Sequence, residues 1–513
     1  MAAKNLSFRQ RADQFLSEAS KYKLGSLVTE QPHEKTQSLS LWASTNLQRA
    51  VEVLKELDVE ALQVVENKLA EISHMHLKVS SVMASGGRVF LCGCGATGRL
   101  SLTLEYLWRE QNPGDERVQA FMAGGDVALV HSIEGFEDFP EYGAKHLMQM
   151  GFTDNDLLIC TTEGGETPYV IGAAEKAAEI SRYKPYFLYC NPDEVLVNTV
   201  ERSRRVIENP KIEKINLCVG PMALAGSTRM QASTVLQLAV GLAVLSENES
   251  TLSETMEQTK RAIGQANVEY LCDFIKKESD LYLRGENVLY QAHDYAITVF
   301  TDTTERAPTF SLMPFENELS NRTPSLSYIV LPTARDRNEA WHRLLNRSPR
   351  PLDWSGVNAM TSPSYLSSFD FGQSGIPARQ RRLKDRMQVP FRIKKESGGI
   401  QLELDDIKAE LPLSLGWAPL TEHLLLKTHL NIHSTLVMGR MGRYINNLMT
   451  WVYPNNGKLI DRAVRYVLYL LHDDGYDGIS YEEATYQLFS ELESLGEGEA
   501  VVPKAVAQLK MMV

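Results

Sequence analysis

Five short apolar runs, each separated from the next by a helical segment, constrain most strongly how this chain can fold. They are residues 89–92, 118–122, 157–160, 185–190 and 215–219. Most of these runs are continuously apolar rather than alternating, which is typical of strands buried on both faces of a sheet. The intervening segments that we expect to be helical include residues 100–111, 167–182 and 229–246. This alternation predicts an α/β fold in which a parallel sheet lies between two layers of helices.

The length and the composition of the chain are compatible with several folded domains. The 513 residues are 43% hydrophobic and 23% charged, which is ordinary for a folded protein. At about 150 residues per domain, the length allows about three domains. The net charge of −12 argues against nucleic acid as a partner, because nucleic-acid binders usually present a basic face. A local site can still hold an anionic small molecule against this global charge.

The apolar stretches and the cysteines predict a cytoplasmic protein. The longest apolar stretch, residues 234–245, is shorter than the roughly 20 residues that span a bilayer. The first residues lack the apolar core of a signal peptide. No pair of cysteines has the CxxC spacing of a metal site, so we expect free cysteines and no bound metal. They are Cys92, Cys94, Cys160, Cys190, Cys218 and Cys272.

Loops rich in glycine, serine and threonine follow the apolar runs, where ligands of parallel sheets bind. Three of them open a helix, so hydroxyls and free backbone N–H groups can hold an anion there. None is a GxxxxGK[ST] loop, and the second run ends in AGGD, unlike a dinucleotide fold, so we expect no nicotinamide cofactor. The loops are GCGATGR at 93–99, AGGD at 123–126, TTEGGETP at 161–168, NPDE at 191–194 and GPMALAGSTRM at 220–230.

The second half of the chain is less regular. We expect strands at 295–300, 327–331 and 400–404. Helices are predicted at 337–345 and 421–451, and a small helical cap from about residue 461. The segment 361–377, rich in Ser, Gly and Pro, is interpreted as a loop or boundary. The basic run 379–386 is interpreted as a solvated helix face, with a partner-binding site as the alternative.

The glycine-rich loops carry a family resemblance. Residues 93–99, 123–138, 161–173 and 220–232 resemble successive motifs of the SIS, or sugar isomerase, domain, in the branch of N-acetylmuramic acid 6-phosphate etherase and glucokinase regulatory protein. A second piece, residues 424–463, resembles the long helix and following turn of the same branch. Its late position resembles the tandem layout of the regulatory protein.

The resemblance implies two three-layer αβα SIS domains with parallel, flavodoxin-like sheets and helical ends. We predict an N-terminal helical segment at 1–45 and a first SIS domain with the ligand site at 46–270. A second, degenerate SIS domain at 280–455 and a C-terminal helical cap at 456–513 would follow. A tandem chain could pair its SIS domains internally as a monomer, or it could form a homodimer.

The resemblance also implies a sugar-phosphate ligand and, residue by residue, a site. Glu137 matches the carboxylate that contacts the sugar and serves acid–base chemistry in etherases. Lys458 matches a lysine that reaches the site from the long-helix region, and a compact cation there suits phosphate. The phosphate-binding residues carried over are Gly95, Thr97, Gly98, Thr161, Thr162, Ser227, Thr228, Arg229 and Lys458.

The sequence departs from the family pattern at two places. Etherases carry Asp-Ala-Ser-Glu on the helix after the first loop, and ungapped counting places Leu107 where its glutamate stands. Glu105 and Glu110 are near, but neither matches without a shift. Two further glutamates, Glu163 and Glu166, stand where relatives have small or neutral residues. They lie either at a solvated loop edge or against sugar hydroxyls.

Four other residues keep two interpretations each. Arg99 and Arg229 could each contact phosphate or clamp a neighbouring helix, and Lys458 could cap a helix end instead of reaching the ligand. His131 could be an acid–base group, because its ordinary pKa of about 6.5 suits that role, but a lone histidine is more often structural.

Three functional hypotheses follow. The first is a sugar-phosphate-binding protein in amino-sugar or hexose-phosphate metabolism or its regulation, without turnover. The second is an enzyme on a phosphosugar, either an etherase-like lyase or an aldose–ketose isomerase, that uses Glu137. The third is a module whose ligand switches binding to a protein partner such as a sugar kinase.

Overall fold

The computed structural model describes residues 6–22, 24–133, 135–496 and 498–512. The first part of the chain holds ten helices and five strands in the described residues. The helices are Phe8–Glu18 (α1), Leu39–Thr45 (α2), Leu47–Glu66 (α3), Leu69–Ala84 (α4), Ala96–Gln111 (α5), Pro140–Gln149 (α6), Pro168–Ile180 (α7), Asp193–Thr199 (α8), Glu201–Ile207 (α9) and Gln231–Leu245 (α10). The strands are Val89–Gly93 (β1), Val118–Met122 (β2), Leu157–Thr161 (β3), Tyr186–Tyr189 (β4) and Glu213–Asn216 (β5).

The first sheet is parallel throughout, with strand order β2-β1-β3-β4-β5. This is the flavodoxin-like order, in which ligands bind beyond the carboxyl ends of the strands. The strands β1, β3 and β4 are buried along their whole length, as the continuous apolar runs predicted. The fifth strand ends at Asn216 rather than Val219. It pairs only with β4, so it ends where that neighbour ends.

Two groups of helices flank the first sheet. One group, α3, α4, α5 and α10, packs together, and the other contains α6, α7 and α9. The central strands are therefore covered on both faces, which explains their lack of alternation. The predicted α/β class and three-layer arrangement are confirmed here.

The second part of the chain builds another five-stranded sheet, of order β10-β9-β8-β6-β7. Strands β7, β6 and β8 are parallel, whereas β8, β9 and β10 form an antiparallel meander. The prediction of a parallel, flavodoxin-like sheet is therefore wrong for this second sheet, which is mixed. The strands are Asn287–Ala292 (β6), Ser327–Val330 (β7), Gln388–Glu396 (β8), Gly399–Leu404 (β9) and Ile407–Pro412 (β10). The helices are Glu249–Gln265 (α11), Leu271–Leu283 (α12), Ala296–Phe310 (α13), Arg337–Leu345 (α14), Pro363–Leu366 (α15), Ile376–Leu383 (α16) and Pro419–Arg440 (α17).

Helix α17 joins the two parts of the molecule. All residues from Leu420 to Gly439 are buried, and the helix packs against α3 and α10 of the first part and α12 and α13 of the second. A helix buried all round shows little amphipathic pattern. One continuous apolar core therefore spans both sheets. The domain boundaries themselves stay a prediction.

Two predictions of individual strands and helices in the second part also need correction. The prediction of a strand at 295–300 is wrong, because α13 begins at Ala296 and the strand is β6, which precedes it. This segment is apolar, β-branched and buried on all sides, so a strand and a helix fit it equally well. The predicted helix at 421–451 ends at Arg440, where Gly442 turns the chain with φ +70°.

The basic run 379–386 is only partly solvated. Arg379 is buried, forms an ion pair with Glu316 and lies over the ring of Tyr328. Helix α16 ends at Leu383, within the run.

Three helices near the end of the chain pack on one another, and the second of them also packs against the N-terminal helix α1. They are Gly457–Asp473 (α18), Tyr481–Glu493 (α19) and Val501–Met512 (α20). Across the described residues, no helix combines the length and the apolar character needed to cross a membrane.

Candidate functional site

A cavity of about 260 Å³ lies at the carboxyl end of the first sheet, where the two parts of the molecule meet. Its wall includes the loops after β1, β2 and β3, the loop before α10, part of α13 and the start of α18. The polar side chains on this wall are Thr29, Glu30, Arg99, Ser132, Glu137, Glu163, Glu166, Thr167, Ser227, Thr228, Arg229, Glu305, Thr309, Asn456, Lys458 and Arg462.

The loop after β1 brings backbone rather than hydroxyls to the cavity. Gly95 lines the wall with φ +55°, a conformation that favours glycine, directly before α5. The hydroxyl of Thr97 donates to the carbonyl oxygen of Cys94 at 2.9 Å and accepts the Cys94 N–H at 2.9 Å. Gly98 packs against Met122, so a Cβ there would lie 2.5 Å from the Met122 Cβ. Neither Thr97 nor Gly98 lines the cavity.

The two threonines predicted from the loop after β3 also lie off the wall. The Thr161 hydroxyl donates to the carbonyl oxygen of Cys92 at 3.3 Å, and the Thr162 hydroxyl lies 3.1 Å from that of Thr167. Both threonines are buried within the loop. In this conformation Thr167, rather than either of them, presents its side chain to the cavity.

The loop before α10 presents Ser227 and Thr228 to the cavity. The Thr228 carbonyl oxygen accepts the N–H of Ser233, which draws the loop onto the first turn of the helix. Hydroxyls beside the first backbone N–H groups of a helix form an arrangement that suits an anion. Of the phosphate-binding residues predicted from sequence, these two fit the cavity most directly.

Arg229 lines the cavity, but its guanidinium points into the second part of the molecule. It donates to Asp302 of α13 at 3.2 Å and to the hydroxyls of Ser434 and Thr435 of α17 at 2.9 Å each. The Arg229 carbonyl oxygen accepts a hydrogen bond from Lys427 at 2.9 Å. Arg229 thus links the loop before α10 to helices α13 and α17. This agrees with the interpretation that Arg229 clamps a neighbouring helix.

Arg99 and His131 also contact other parts of the protein, which favours a structural interpretation of both residues. Arg99 is buried and donates to the carbonyl oxygens of Ala128 at 3.2 Å and Leu129 at 3.4 Å, although it also lines the cavity. His131 lies 2.9 Å from the Tyr365 hydroxyl and outside the cavity wall. Burial lowers the pKa of His131 to about 4, so this histidine is neutral near pH 7.

Glu137 faces the cavity from the loop after β2. Its Oε1 accepts a hydrogen bond from Asn456 at 3.3 Å, and its Oε2 accepts the Cys94 S–H at 3.7 Å. Asn456 is also the residue that caps α18, where its side chain accepts the N–H of Leu459. The sugar-contacting carboxylate predicted from sequence is therefore in contact with the C-terminal helices.

Glu166 and Lys458 form an ion pair on the cavity wall. The Lys458 Nζ lies 2.5 Å from Glu166 Oε1, and Arg202 lies 2.5 Å from Glu166 Oε2. Burial alone would raise the pKa of Glu166, but the charges of Lys458 and Arg202 outweigh it and lower the pKa to about 2. Likewise burial would lower the pKa of Lys458, and Glu166 with Glu137 raises it well above its ordinary value. Both groups stay ionised near pH 7.

The surroundings of Glu163 raise its pKa, whereas those of Glu166 lower it. Glu163 is buried, and among the residues that the structure describes its Oε1 has no hydrogen-bond partner. Burial raises the pKa of Glu163 to about 7, and the nearby charge of Glu305 adds to this shift. Glu163 is thus protonated in part of the molecules near pH 7.

Glu305 is the residue at this site that the sequence interpretation missed. It projects from α13, in the second part of the chain, and is buried at the cavity wall. Burial raises the pKa of Glu305, although Arg99 and Arg229 partly oppose the shift. A sequence signal was available, since residues 302–305 read Asp-Thr-Thr-Glu, close to the Asp-Ala-Ser-Glu pattern sought on α5.

The residues considered on α5 do not supply this carboxylate. Leu107 is buried in the core. Glu105 is held by Arg109 at 3.2 Å, Arg347 at 3.1 Å and Arg350 at 2.8 Å, outside the cavity.

A larger cleft of about 1310 Å³ lies at the carboxyl ends of β6 and β7. It contains none of the site residues predicted from sequence, and no loop of the GSTRM type opens onto it. Its arginines already have carboxylate partners, for example Arg347, which is 2.6 Å from Asp126. We therefore place the candidate site in the smaller cavity.

Comparisons with known proteins match the first part of the chain. Residues 70–178 match the family described as glucokinase regulatory protein N-terminal SIS domain. An N-acetylmuramic acid 6-phosphate etherase from Synechocystis sp. is 33% identical over 220 residues, which cover 42% of this chain and 67% of that protein. The etherase from Actinobacillus pleuropneumoniae is 28% identical over 285 residues, covering 55% of this chain and 85% of that protein.

One solved structure aligns over a larger share of the chain. Tagatose-6-phosphate ketose/aldose isomerase from Escherichia coli has a TM-score of 0.42 and 12% identity, covering 77% of this chain and 94% of that one.

Sequence identity of 33% over 67% of an etherase, together with the matched SIS model, supports a common family for these chains. The chain belongs to the SIS (sugar isomerase) domain family, in the branch that contains the N-acetylmuramic acid 6-phosphate etherases and the glucokinase regulatory protein.

Proposed function

We propose that this protein binds a sugar phosphate in the cavity between its two sheets. The observation that carries the proposal is the meeting of three elements around one cavity: Ser227 and Thr228 before α10, Lys458 at the start of α18, and Glu137. The hydroxyls, the backbone N–H groups of α10 and the Lys458 ammonium would hold the phosphate. Glu137 would accept hydrogen bonds from sugar hydroxyls.

Ligand-dependent stabilisation tests this proposal. A ligand that binds only the folded chain raises the melting temperature in step with its concentration. We expect this rise with at least one hexose 6-phosphate and a much smaller rise with the same sugar lacking phosphate. The double variant Ser227→Ala/Thr228→Ala should lose most of the response. Equal responses from phosphorylated and unphosphorylated sugars would contradict the phosphate assignment.

A second candidate function is acid–base chemistry on the bound phosphosugar, as in an etherase-like lyase or an aldose–ketose isomerase. Three carboxyl groups, on Glu137, Glu163 and Glu305, line one cavity. A base that takes a proton from carbon and an acid that protonates an oxygen need two such groups in different protonation states. Glu137 would serve as the base, and a protonated Glu163 or Glu305 as the acid.

Mass spectrometry in D₂O tests this second candidate. The protein would be incubated with hexose 6-phosphates and with N-acetylmuramic acid 6-phosphate. Deuterium incorporation or a new product, lost in Glu137→Gln, supports turnover. Recovery of every phosphosugar unlabelled, under conditions where it binds, would leave the binding function and remove the enzymatic one.

Further expectations from the sequence belong to the same proposal. They are a cytoplasmic location, a monomer with internally paired SIS domains or a homodimer, and a protein partner such as a sugar kinase whose binding depends on the ligand. Size-exclusion chromatography with light scattering, with and without a hexose 6-phosphate, tests the oligomeric state.

A further inference from the structure

Glu163 is a buried carboxyl in the part of the cavity where the proposed phosphate would bind. Its side chain lines the cavity and is 9% exposed, and within the described part of the chain its Oε1 has no hydrogen-bond partner. A side-chain hydrogen bond from Thr228, one of the two hydroxyl residues before α10, acts on this carboxyl. The carboxyl of Glu163 therefore lies beside a hydroxyl assigned to the phosphate, and one of its oxygens is still unpartnered.

The other carboxyl groups on the cavity wall have cations close to them. Glu137 faces Lys458, whose pKa it helps to raise, and also accepts a hydrogen bond from Asn456. The cations beside the remaining carboxyls are Arg462 and Arg465 at Glu30, Lys458 and Arg202 at Glu166, and Arg99, Arg229 and Lys427 at Glu305.

Glu163 faces groups from several neighbouring elements. Cys94 approaches it from the loop after β1 and Cys190 from the end of β4, and burial raises the pKa of both thiols well above the usual range, so both are neutral. Glu305 of α13 raises the pKa of Glu163, and Lys458 of α18 lowers it. Lys458, the cation that opposes the shift, is already engaged by Glu166 at 2.5 Å.

The two protonation states of Glu163 would act in opposite ways on a phosphate at Thr228. An ionised carboxylate there repels a phosphate dianion. A protonated carboxyl instead carries an O–H that can donate to a phosphate oxygen, and a hydrogen bond to an ionised acceptor is roughly twice as strong as one between neutral groups. Burial raises the pKa of Glu163 to about 7, so about half of the molecules hold this proton at pH 7.

We infer that Glu163, in its protonated form, donates a hydrogen bond to the phosphate of the bound sugar, so that phosphosugar binding takes up a proton from the solvent. This inference rests on the proposed sugar-phosphate site and assigns a further ligand-binding residue to it. Because only the protonated carboxyl can donate, the site holds its ligand more tightly in mildly acidic solution than in alkaline solution.

Proton uptake is measured by isothermal titration calorimetry on the full chain at pH 7.5, in buffers with different ionisation enthalpies. The probes are glucose 6-phosphate, fructose 6-phosphate and N-acetylglucosamine 6-phosphate, whose phosphates, with a second pKa of about 6, are almost fully dianionic at this pH. We expect the wild type to take up about 0.7 proton per bound ligand, because a carboxyl with a pKa of about 7 is only about one-quarter protonated at pH 7.5. In Glu163→Gln this uptake should disappear.

The pH dependence of the affinity provides a second measurement. Between pH 6.5 and pH 8.5 the protonated fraction of Glu163 falls from about three-quarters to a few per cent, so we expect wild-type affinity to fall roughly 20-fold. The affinity of Glu163→Gln should change by less than about twofold over this range, because its amide keeps a donor and has no charge to lose. Glu163→Ala should be equally insensitive to pH but should bind more weakly than Glu163→Gln at pH 6.5.

A matched control is Glu110→Gln. Burial also raises the pKa of Glu110, but this residue lies in the larger cleft, so the variant should keep the proton uptake and the pH dependence of the wild type.

The contrary outcomes separate this inference from the proposed function. The same proton uptake, or the same pH dependence, in the wild type and in Glu163→Gln overturns the inference and leaves the sugar-phosphate site in place. Equal affinities of Glu163→Gln and Glu163→Ala at pH 6.5 overturn the assignment of Glu163 as a donor. Failure of all three phosphosugars to bind at pH 6.5, in a chain that still unfolds cooperatively, overturns both proposals.

Discussion

The Nζ of Lys458 lies 2.5 Å from Oε1 of Glu166, so the first turn of α18 is joined electrostatically to the loop after β3. These residues come from distant parts of the chain, and both belong to the wall of the candidate cavity. Lys458 therefore has a carboxylate partner before any ligand arrives. A phosphate at the cavity would compete with Glu166 for this ammonium or share it.

Replacement of the lysine tests its role in phosphate binding. We expect Lys458→Met to weaken hexose 6-phosphate binding by roughly 10- to 100-fold, because charge-assisted hydrogen bonds contribute about 1.5–3 kcal/mol. Titration calorimetry measures the change. Lys504→Met, whose lysine belongs to α20, should bind normally. An unchanged affinity in Lys458→Met would assign this residue to the ion pair alone.

The pKa of Glu163 makes stability depend on pH. A carboxyl whose pKa is raised on folding destabilises the native state as the pH rises from its ordinary pKa of 4.5 toward its folded pKa of about 7. We expect Glu163→Gln to gain roughly 3 kcal/mol in unfolding free energy relative to the wild type between pH 4.5 and pH 8. Urea unfolding at both pH values measures this. A constant difference would contradict the raised pKa.

The pH dependence of the unfolding free energy that Glu166 contributes should have the opposite sign to that of Glu163. The pKa of Glu166 is lowered to about 2, so the ionised form stabilises the fold above pH 4.5, and this stabilisation is lost as the pH falls toward 2. Glu166→Gln should therefore destabilise the protein at pH 7 by about 3 kcal/mol and by less at pH 3. The comparison of unfolding curves at these two pH values provides an internal check on the Glu163 result.

The link between the two parts of the molecule depends on Asp302. This buried carboxylate accepts hydrogen bonds from Arg229 at 3.2 Å and from Arg306 at 2.8 Å. Its removal leaves two guanidinium groups buried without this partner, so Asp302→Ala should lower the unfolding free energy by about 3–5 kcal/mol.

Because Arg229 follows Ser227 and Thr228, Asp302→Ala should also weaken phosphosugar binding. Thermal denaturation with and without a hexose 6-phosphate separates the two effects. The conservative variant Asp302→Asn should lose less of both. A destabilised protein with unchanged affinity would show that the loop holds its conformation without this contact.

Much of the first sheet was predictable, because strands such as β1 and β3 are continuous apolar runs that end at loops rich in glycine and small polar residues. The fold class followed from that pattern, and the same pattern is the basis for placing the candidate site at the carboxyl ends of the strands. The prediction of a strand at 295–300 failed because a short, buried run with β-branched residues is compatible with the periodicity of either a strand or a helix. Helix α13, which contains most of this run, is buried on nearly every side.

The site was only partly predictable for a different reason. The motif loops identify Ser227, Thr228 and Glu137 locally, but the Thr97 and Thr162 hydroxyls bond within their own loops, which a sequence pattern cannot show. Glu305 comes from a helix of the second sheet, so only the packing of α13 brings it to the cavity. The departure at Leu107 was real, yet a carboxyl reaches the cavity from elsewhere in the chain.

The most direct test of the central claim is a crystal structure of the full chain with a hexose 6-phosphate that raises its melting temperature. The account predicts the phosphate at Ser227 and Thr228 within reach of Lys458, with the sugar ring toward Glu137 and Glu305. A phosphosugar bound instead in the larger cleft at the carboxyl ends of β6 and β7, with the smaller cavity empty, would contradict the account.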